Sequence, residues 1–257
     1  FKFWIVKCIE NKAKFFTADH GGSFGSLFTT VNYNEEISNF SIRMHKPILK
    51  NHIQLPLLKV LKYSNFRKNY KNLESLSMIG FEIAKYPKHP FIAPLSNEGL
   101  YQIDFLKKFY NKLNLNLKKA FCFKPQTSNG FVKTLNTGNR IKEIIPKSKV
   151  ASNYIEIFKK SKIIIVNTPK TSLCEALISG PTVLLYKKKY WNHTSHFNNL
   201  VSNLKNAKIL FEDPLEAANH INKVWDNVDE WWESKKVKKV RKQFHVEAFD
   251  ISSNSVE

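Results

Sequence analysis

The chain is poor in cysteine, in acid, in arginine and in long apolar runs, and each shortage removes a class of protein. Its 257 residues hold three cysteines, Cys8, Cys122 and Cys174, widely spaced and in apolar contexts. That fits neither a disulfide framework nor a metal cluster. No stretch approaches the roughly 18–20 apolar residues of a membrane-spanning helix. The opening FKFWIVKCIENKAKFF is too charged for a secretory signal. A cytoplasmic protein is therefore expected. Acidic residues number 21 against 41 lysines and arginines, a formal net charge of +20. Yet arginine occurs only at 43, 67, 140 and 241. Lysine is a point charge without the planar fork that reads guanine or grips phosphate at two points. Lysines spread over the whole length predict weak, salt-sensitive attraction to polyanions, including an anionic membrane surface, and no dedicated nucleic-acid groove.

What is present is ample core material, 42% apolar and 13% aromatic, enough for one large or two small domains. Phe1 stands where an initiator methionine would, and the opening segment reads as a helix running straight into a strand. The sequence is accordingly expected to be a piece of a longer protein.

The most informative stretch is SKIIIVNTPKTSLCEALISGPTVLLY, Ser161 to Tyr186. Ile163 to Val166 is a short, β-branched, uncharged run, as in a strand covered on both faces. Asn167 to Lys170 break it. Thr171 or Ser172 can cap the following helix, which Gly180-Pro181 ends before Thr182 to Leu185 resumes as strand. This is one βαβ unit of a parallel sheet. Hydroxyls and free N–H groups where a strand ends and a helix begins form an anion site. Glu175, one turn inside the helix, is placed to reach a ribose or sugar hydroxyl, or merely to complement the helix dipole.

Upstream, Lys2 to Asn11 reads as helix and Ala13 to Ala18 as strand, delivering Asp19-His20-Gly21-Gly22-Ser23-Phe24-Gly25. Three glycines in five residues allow a close approach to a ligand or a sharp turn. His20 at the strand's end is a candidate general base. Glu35 and Glu36, in a segment from Asn32 to Ser41 without clear period, read as a solvated pair, or as a carboxylate orienting His20 or binding an acceptor hydroxyl. Lys46 to Lys71 is expected to join two lobes. Further on, Leu73 to Ala84 is a strand, Tyr101 to Ala120 a helix and Ala120 to Phe123 a strand. That strand leads into Lys124, whose charge can meet a diphosphate or simply face solvent. After the central unit come a helix from His193 to Asn206, a strand from Ala207 to Phe211, a helix from Pro214 to Trp225 capped by Asp213, and a closing helix from Val228 to Phe244. Trp225, Trp231 and Trp232 read as packing anchors. Strands alternating with helices predict a doubly wound α/β lobe whose crevice lies at the strand carboxyl ends, where Lys124, Thr168, Thr171 and Ser172 fall.

DHGGSFG, KPQTSNG, NTPKTSLCEAL with SGPTVLLY, then YWNH and EWW together resemble a transferase family of surface-carbohydrate biosynthesis clusters. That family is similar in build to GT-B glycosyltransferases and more distantly to CDP-glycerol glycerophosphotransferases. The resemblance implies a GT-B-like fold: residues 1–72 end an N-terminal acceptor lobe and linker, and residues 73–257 form a Rossmann-like donor lobe with closing helices. It implies a glycosyl or related group transferase using a nucleotide-activated sugar as substrate, with no cofactor and no metal, acting on a carbohydrate or lipid-linked acceptor, and peripheral at the inner membrane face. His20 would be the base. Gly21, Gly22, Lys124, Thr168, Thr171, Ser172 and Glu175 would hold the donor. No acidic pair of the DxD kind stands beside a strand, in keeping with metal-free chemistry. The competing readings are a non-catalytic nucleotide-binding remnant and a basic polyanion-binding module.

Overall fold

The computed structural model describes residues 2–19, 21, 31–55, 58–86, 94, 96–125, 134–145, 149–151, 153–191 and 193–249. It is an α/β molecule with two parallel sheets. The first carries α1 (Lys2–Glu10), β1 (Phe16–Ala18), α2 (Val31–Ile37), β2 (Phe40–Arg43) and β3 (His52–Gln54), in strand order β1-β2-β3. A short connector, α3 (Leu58–Leu61), leads to the second unit. That unit comprises β4 (Ser75–Ile79), α4 (Tyr101–Lys112), α5 (Leu115–Ala120), β5 (Phe121–Lys124), α6 (Thr137–Ile144), β6 (Lys149–Val150), α7 (Tyr154–Lys160), β7 (Ser161–Val166), α8 (Thr171–Ser179), β8 (Thr182–Leu185), α9 (Ser195–Asn206) and β9 (Leu210–Phe211). The chain closes with α10 (Pro214–Val224), α11 (Val228–Trp232) and α12 (Lys235–Phe249).

The second sheet runs β6-β5-β4-β7-β8-β9, every neighbour parallel. Numbered from its own first strand this is 3-2-1-4-5-6, a doubly wound order whose direction reverses between β4 and β7. The expected central strand is β7, with Ile163, Ile164, Ile165 and Val166 all at 0% exposure. Burying four such side chains contributes about 1.5–3 kcal/mol each.

Helix boundaries follow local chemistry. Asp213 accepts from Leu215 N at 2.6 Å and Glu216 N at 3.2 Å, capping α10 as expected. Asp213→Ala should cost about 1 kcal/mol, a fall of about 2–4 °C in Tm measured by calorimetry. The single helix expected from Tyr101 to Ala120 is two. Leu113 turns into the core in extended conformation, and Asn114 N donates to Asn222 Oδ1 at 3.0 Å, which starts α5 on a new axis. The expected closing helix also divides. The Ser234 hydroxyl accepts from Val237 N at 3.3 Å and begins α12. Neither Thr171 nor Ser172 caps α8: Lys170 is the capping residue and the helix has no side-chain cap. The stretch from Asn32 to Ser41, without period in sequence, is α2 followed by the start of β2. Its buried residues are the polar Glu35, Ser38 and Ser41, so no apolar stripe marks it.

Two features tie the units together. Arg67, 1% exposed, donates through Nη2 to Ala176 O at 2.7 Å and Thr182 Oγ1 at 3.1 Å, through Nη1 to Pro181 O at 2.7 Å and through Nε to Ser179 Oγ at 3.0 Å. The guanidinium thus occupies carbonyls left open at the end of α8, where Gly180 adopts φ +150°. Burial lowers its pKa to about 9, so it remains charged at neutral pH. At the other end α12 returns to the first sheet: Lys46 N donates to Glu247 O at 2.7 Å and Gln54 Nε2 to Val246 O at 3.0 Å. Trp232 is 1% and Trp225 8% exposed, and Trp231 Nε1 donates to Ala207 O, so all three tryptophans are packing anchors. Among the described residues the cysteines are free, and no helix is long and apolar enough to cross a membrane.

Candidate functional site

Reversal of winding between β4 and β7 opens a crevice at their carboxyl ends, because the crossovers on either side leave on opposite faces. On the β7 side the chain passes through Asn167, Thr168, Pro169 and Lys170 into α8. Asn167 is buried and its Nδ2 donates to Leu185 O at 3.0 Å, which pins this loop to the end of β8. Thr168 is 7% exposed, and its buried Oγ1 has no hydrogen-bond partner among the described residues. Leaving a buried hydroxyl unpaired costs about 1–3 kcal/mol, so a ligand atom that pairs with it recovers that penalty. Thr171 and Ser172 follow, partly buried, in the first turn of α8. Amide groups and the helix dipole there favour an anion.

Gly21 meets this turn. Gly21 has φ +118°, and a Cβ placed on it would stand 2.9 Å from Thr171 Oγ1. Any other residue would be strained and would collide with that hydroxyl. His20 and Gly22 lie outside the described residues.

Lys124 ends β5, where its Nζ donates to Pro125 O at 2.9 Å; strand β4 stands between it and β7. Glu175 is 3% exposed and accepts from the Tyr154 hydroxyl of α7 at 2.7 Å. Burial, and then the neighbouring Glu175 carboxylate, raise the Tyr154 pKa well above its usual value. The structure thus brings Gly21, Thr168, Thr171 and Ser172 together, sets Lys124 two strands away and buries Glu175.

Around the same edge, Phe81 after β4 packs against Trp191 at 5.6 Å between ring centroids, and Trp191 Nε1 donates to the Tyr101 hydroxyl at 3.1 Å. Lys170 Nζ lies 5.6 Å from the Trp191 ring centroid. Glu82 Oε1 accepts from Thr137 Oγ1 at 2.9 Å and Thr137 N at 3.2 Å, fixing the start of α6. The 280 Å³ cavity lined by Ser75, Ser77, Cys122, Glu156 and Lys160 lies beside α7, not at this edge.

A second polar cluster gathers around Asp19 and Arg43, and the sequence reading missed it. Arg43 Nη2 contacts Asp19 Oδ1 at 2.7 Å and Glu35 Oε1 at 2.9 Å, with all three side chains under 10% exposed. Asp19 Oδ2 accepts from Met44 N at 2.9 Å. Arg43 Nε donates to His45 Nε2 at 3.4 Å. Glu35 is therefore no solvated charge, although Glu36 beside it is exposed. Burial raises the Glu35 pKa and Arg43 opposes that rise. His52 Nδ1 accepts from Ile48 N, which leaves its proton on Nε2, 3.7 Å from Glu35 Oε2. Burial, then His45 and Arg43, lower the His52 pKa to about 4. The ring is neutral at pH 7 and the contact is not an ion pair. The available signal was the alternation Ser41, Arg43, His45. It is an ordinary strand period with its polar side turned inward. Among the described residues no group of three or more histidines, cysteines or acids could hold a metal ion.

The model of the LIC12162 family transferases matches residues 1–256. The chain belongs to that family. No curated protein sequence matches it. Among solved structures the family member is similar to the wall teichoic acid polymerase TagF, at 11% identity and TM-score 0.46 over 95% of this chain and 65% of that one. It is also similar to a CDPG-soaked form of TagF, at 10% identity and TM-score 0.41 over 89% of this chain and 58% of that one. The chain therefore spans about three fifths of the length of these solved proteins.

Proposed function

We propose that this transferase moves a glycosyl or related group from a nucleotide-activated donor to a carbohydrate or lipid-linked acceptor in surface polysaccharide biosynthesis, in a GT-B-type cleft without a bound metal. The observation that carries the reading is the pairing of Gly21 with Thr171 at the start of α8, beside the unpaired buried hydroxyl of Thr168. Close approach of Gly21, which follows β1 of one unit, to the first turn of α8 in the other is what a two-lobed transfer site requires.

In this reading the donor diphosphate lies on the first turn of α8, held by the Thr168 and Thr171 hydroxyls, Ser172 and the backbone N–H groups, with Lys124 supplying positive charge. Glu175 takes a ribose or sugar hydroxyl. His20 accepts the proton of the acceptor hydroxyl as its oxygen attacks the donor carbon. The bond from that carbon to the phosphate oxygen breaks, and the electron pair leaves with the nucleotide. Fixed donors at the departing charge lower the barrier because they need no reorganisation. The enzyme works at the inner face of the membrane, where its +20 charge holds it weakly to anionic lipid.

The test is a calorimetric screen against CMP, CDP, UDP and GDP with wild type, Thr168→Val and Thr171→Ala. One nucleotide should bind, and each variant should weaken it about tenfold or more, since a hydrogen bond to a charged group contributes about 1.5–3 kcal/mol. A folded protein that binds none, or binds equally in all three forms, would overturn the reading.

A further inference from the structure

Trp191, from the YWNH motif, lies across the carboxyl end of β7. Its ring centroid stands 5.6 Å from that of Phe81 after β4 and 6.1 Å from that of Tyr186 after β8, and its Nε1 donates to the Tyr101 hydroxyl at 3.1 Å. Strand β7 lies between β4 and β8, so the indole bridges the point where the winding reverses. At 4% exposure the ring is fixed by packing. Onto it folds Lys170, which ends the loop after β7 and holds the capping position of α8. The ammonium nitrogen is 5.6 Å from the ring centroid, and the residue is exposed to solvent.

A ring face attracts an ammonium through its quadrupole but offers it no lone pair. All three N–H donors of Lys170 therefore stay open to oxygen acceptors. Among the described residues no carboxylate pairs with this lysine. Within two residues of it stand the first-turn amides of α8 and Thr168 Oγ1, buried without a hydrogen-bond partner among the described residues. A helix N-terminus and an unpaired cation thus adjoin a hydroxyl that lacks a partner. Water would satisfy the hydroxyl but not the charge, whereas an anion with several oxygens satisfies all three. Lys124 cannot do the same. It ends β5, about 10 Å across the sheet from β7, and its Nζ already donates to Pro125 O.

We infer that Lys170 contacts the donor phosphate seated on the first turn of α8, and that Trp191 positions its ammonium for this. The inference rests on the donor reading of that turn. The lysine keeps its proton throughout. It neutralises the charge that the phosphate oxygen gains when its bond to the donor carbon breaks and the electron pair leaves with the nucleotide. Lys124 then acts at longer range.

Calorimetric titration of the full chain with CMP, CDP, UDP and GDP, at low and at high salt, tests this in wild type, Lys170→Met, Lys162→Met and Thr168→Val. Lys162 is the control: it lies near the opposite end of β7 with its Nζ 4.8 Å from the Trp225 ring centroid, the same kind of contact away from the crevice. Lys170→Met should weaken the nucleotide that wild type binds by about tenfold or more, with a shallower loss on adding salt. Lys162→Met should bind as wild type does. If Thr168→Val weakens binding and Lys170→Met does not, the donor reading stands and Lys170 has no part in it. Equal losses in Lys162→Met and Lys170→Met would show attraction by overall charge and overturn the inference. A folded wild type that binds none of the four removes the donor reading and this inference with it.

Discussion

Taking the protein from pH 7 to pH 4 is expected to remove most of its stability, with the loss beginning near pH 6.5. Three histidines, His52, His220 and His245, have pKa values lowered from 6.5 to about 4. Burial is the first cause in each case. His45 and Arg43 add to it at His52, Lys208 and Lys223 at His220, and Arg241 at His245. The buried Nε2 atoms of His52 and His220 also lack hydrogen-bond partners among the described residues. A base whose folded pKa is depressed stabilises the fold fully above its unfolded pKa, and that contribution disappears as pH falls towards the folded value. Each pH unit of that window is worth about 1.4 kcal/mol per group. Over the window from 6.5 to 4 each histidine therefore loses about 3 kcal/mol at most, and the three together approach the whole stability of an ordinary domain, about 5–15 kcal/mol. Glu35 acts in the opposite sense. Its raised pKa gives a contribution present below 4.5 and lost as pH rises through the folded value, so acid partly offsets the histidines. Urea melts at pH 7, 6, 5 and 4.5 measure the sum. Stability should fall progressively, and His220→Gln should reduce the slope by up to one proton. A midpoint unchanged from pH 7 to pH 4.5 would show that these rings do not titrate as their burial implies.

The parts of this architecture legible in the sequence are those whose residue pattern agrees with their burial. Ile163 to Val166 are apolar and wholly covered, Asp213 stands where a helix needs a cap, and the tryptophans of the closing helices pack as large apolar groups do. Illegible parts are those where the pattern and the burial disagree. In β2 the polar alternation faces inward and the apolar one outward, so no period rule assigns Arg43 or Glu35 to an interior. The break after Lys112 was hidden because Leu113 continues the apolar spacing of α4 while its backbone leaves the helix. At the candidate site the loop from Asn167 to Ser172 was readable as a strand end meeting a helix start. Two facts depended on distant pairings and were not: Gly21 closes on Thr171, and Glu175 is already bonded to Tyr154.

Arg43→Met should cost about 3–5 kcal/mol at neutral pH, the penalty of removing one partner from a buried ion cluster. Methionine fills much the same volume, so the loss is electrostatic. Asp19 and Glu35, both under 10% exposed, would be left as two carboxylates whose common counter-ion is gone. Glu35, already raised by burial, would rise further without Arg43. Destabilisation should accordingly shrink on acidification, as Glu35 takes up a proton. The triple variant Arg43→Met, Asp19→Asn, Glu35→Gln should recover much of the loss, because neutral amides need no counter-ion. Urea unfolding of the single and triple variants at pH 7 and pH 5 decides the matter. If the triple variant is as unstable as Arg43→Met, the guanidinium acts through packing and not through charge. The same cluster holds the backbone that enters the glycine loop, since Asp19 Oδ2 grips Met44 N one residue before His20. Under the proposed transfer chemistry Arg43→Met should therefore also weaken the nucleotide response governed by Gly21 and Thr171, although Arg43 touches neither. Restored stability without restored nucleotide binding in the triple variant would separate the two roles, because the amides relieve the buried charge without reproducing the ionic grip on β1.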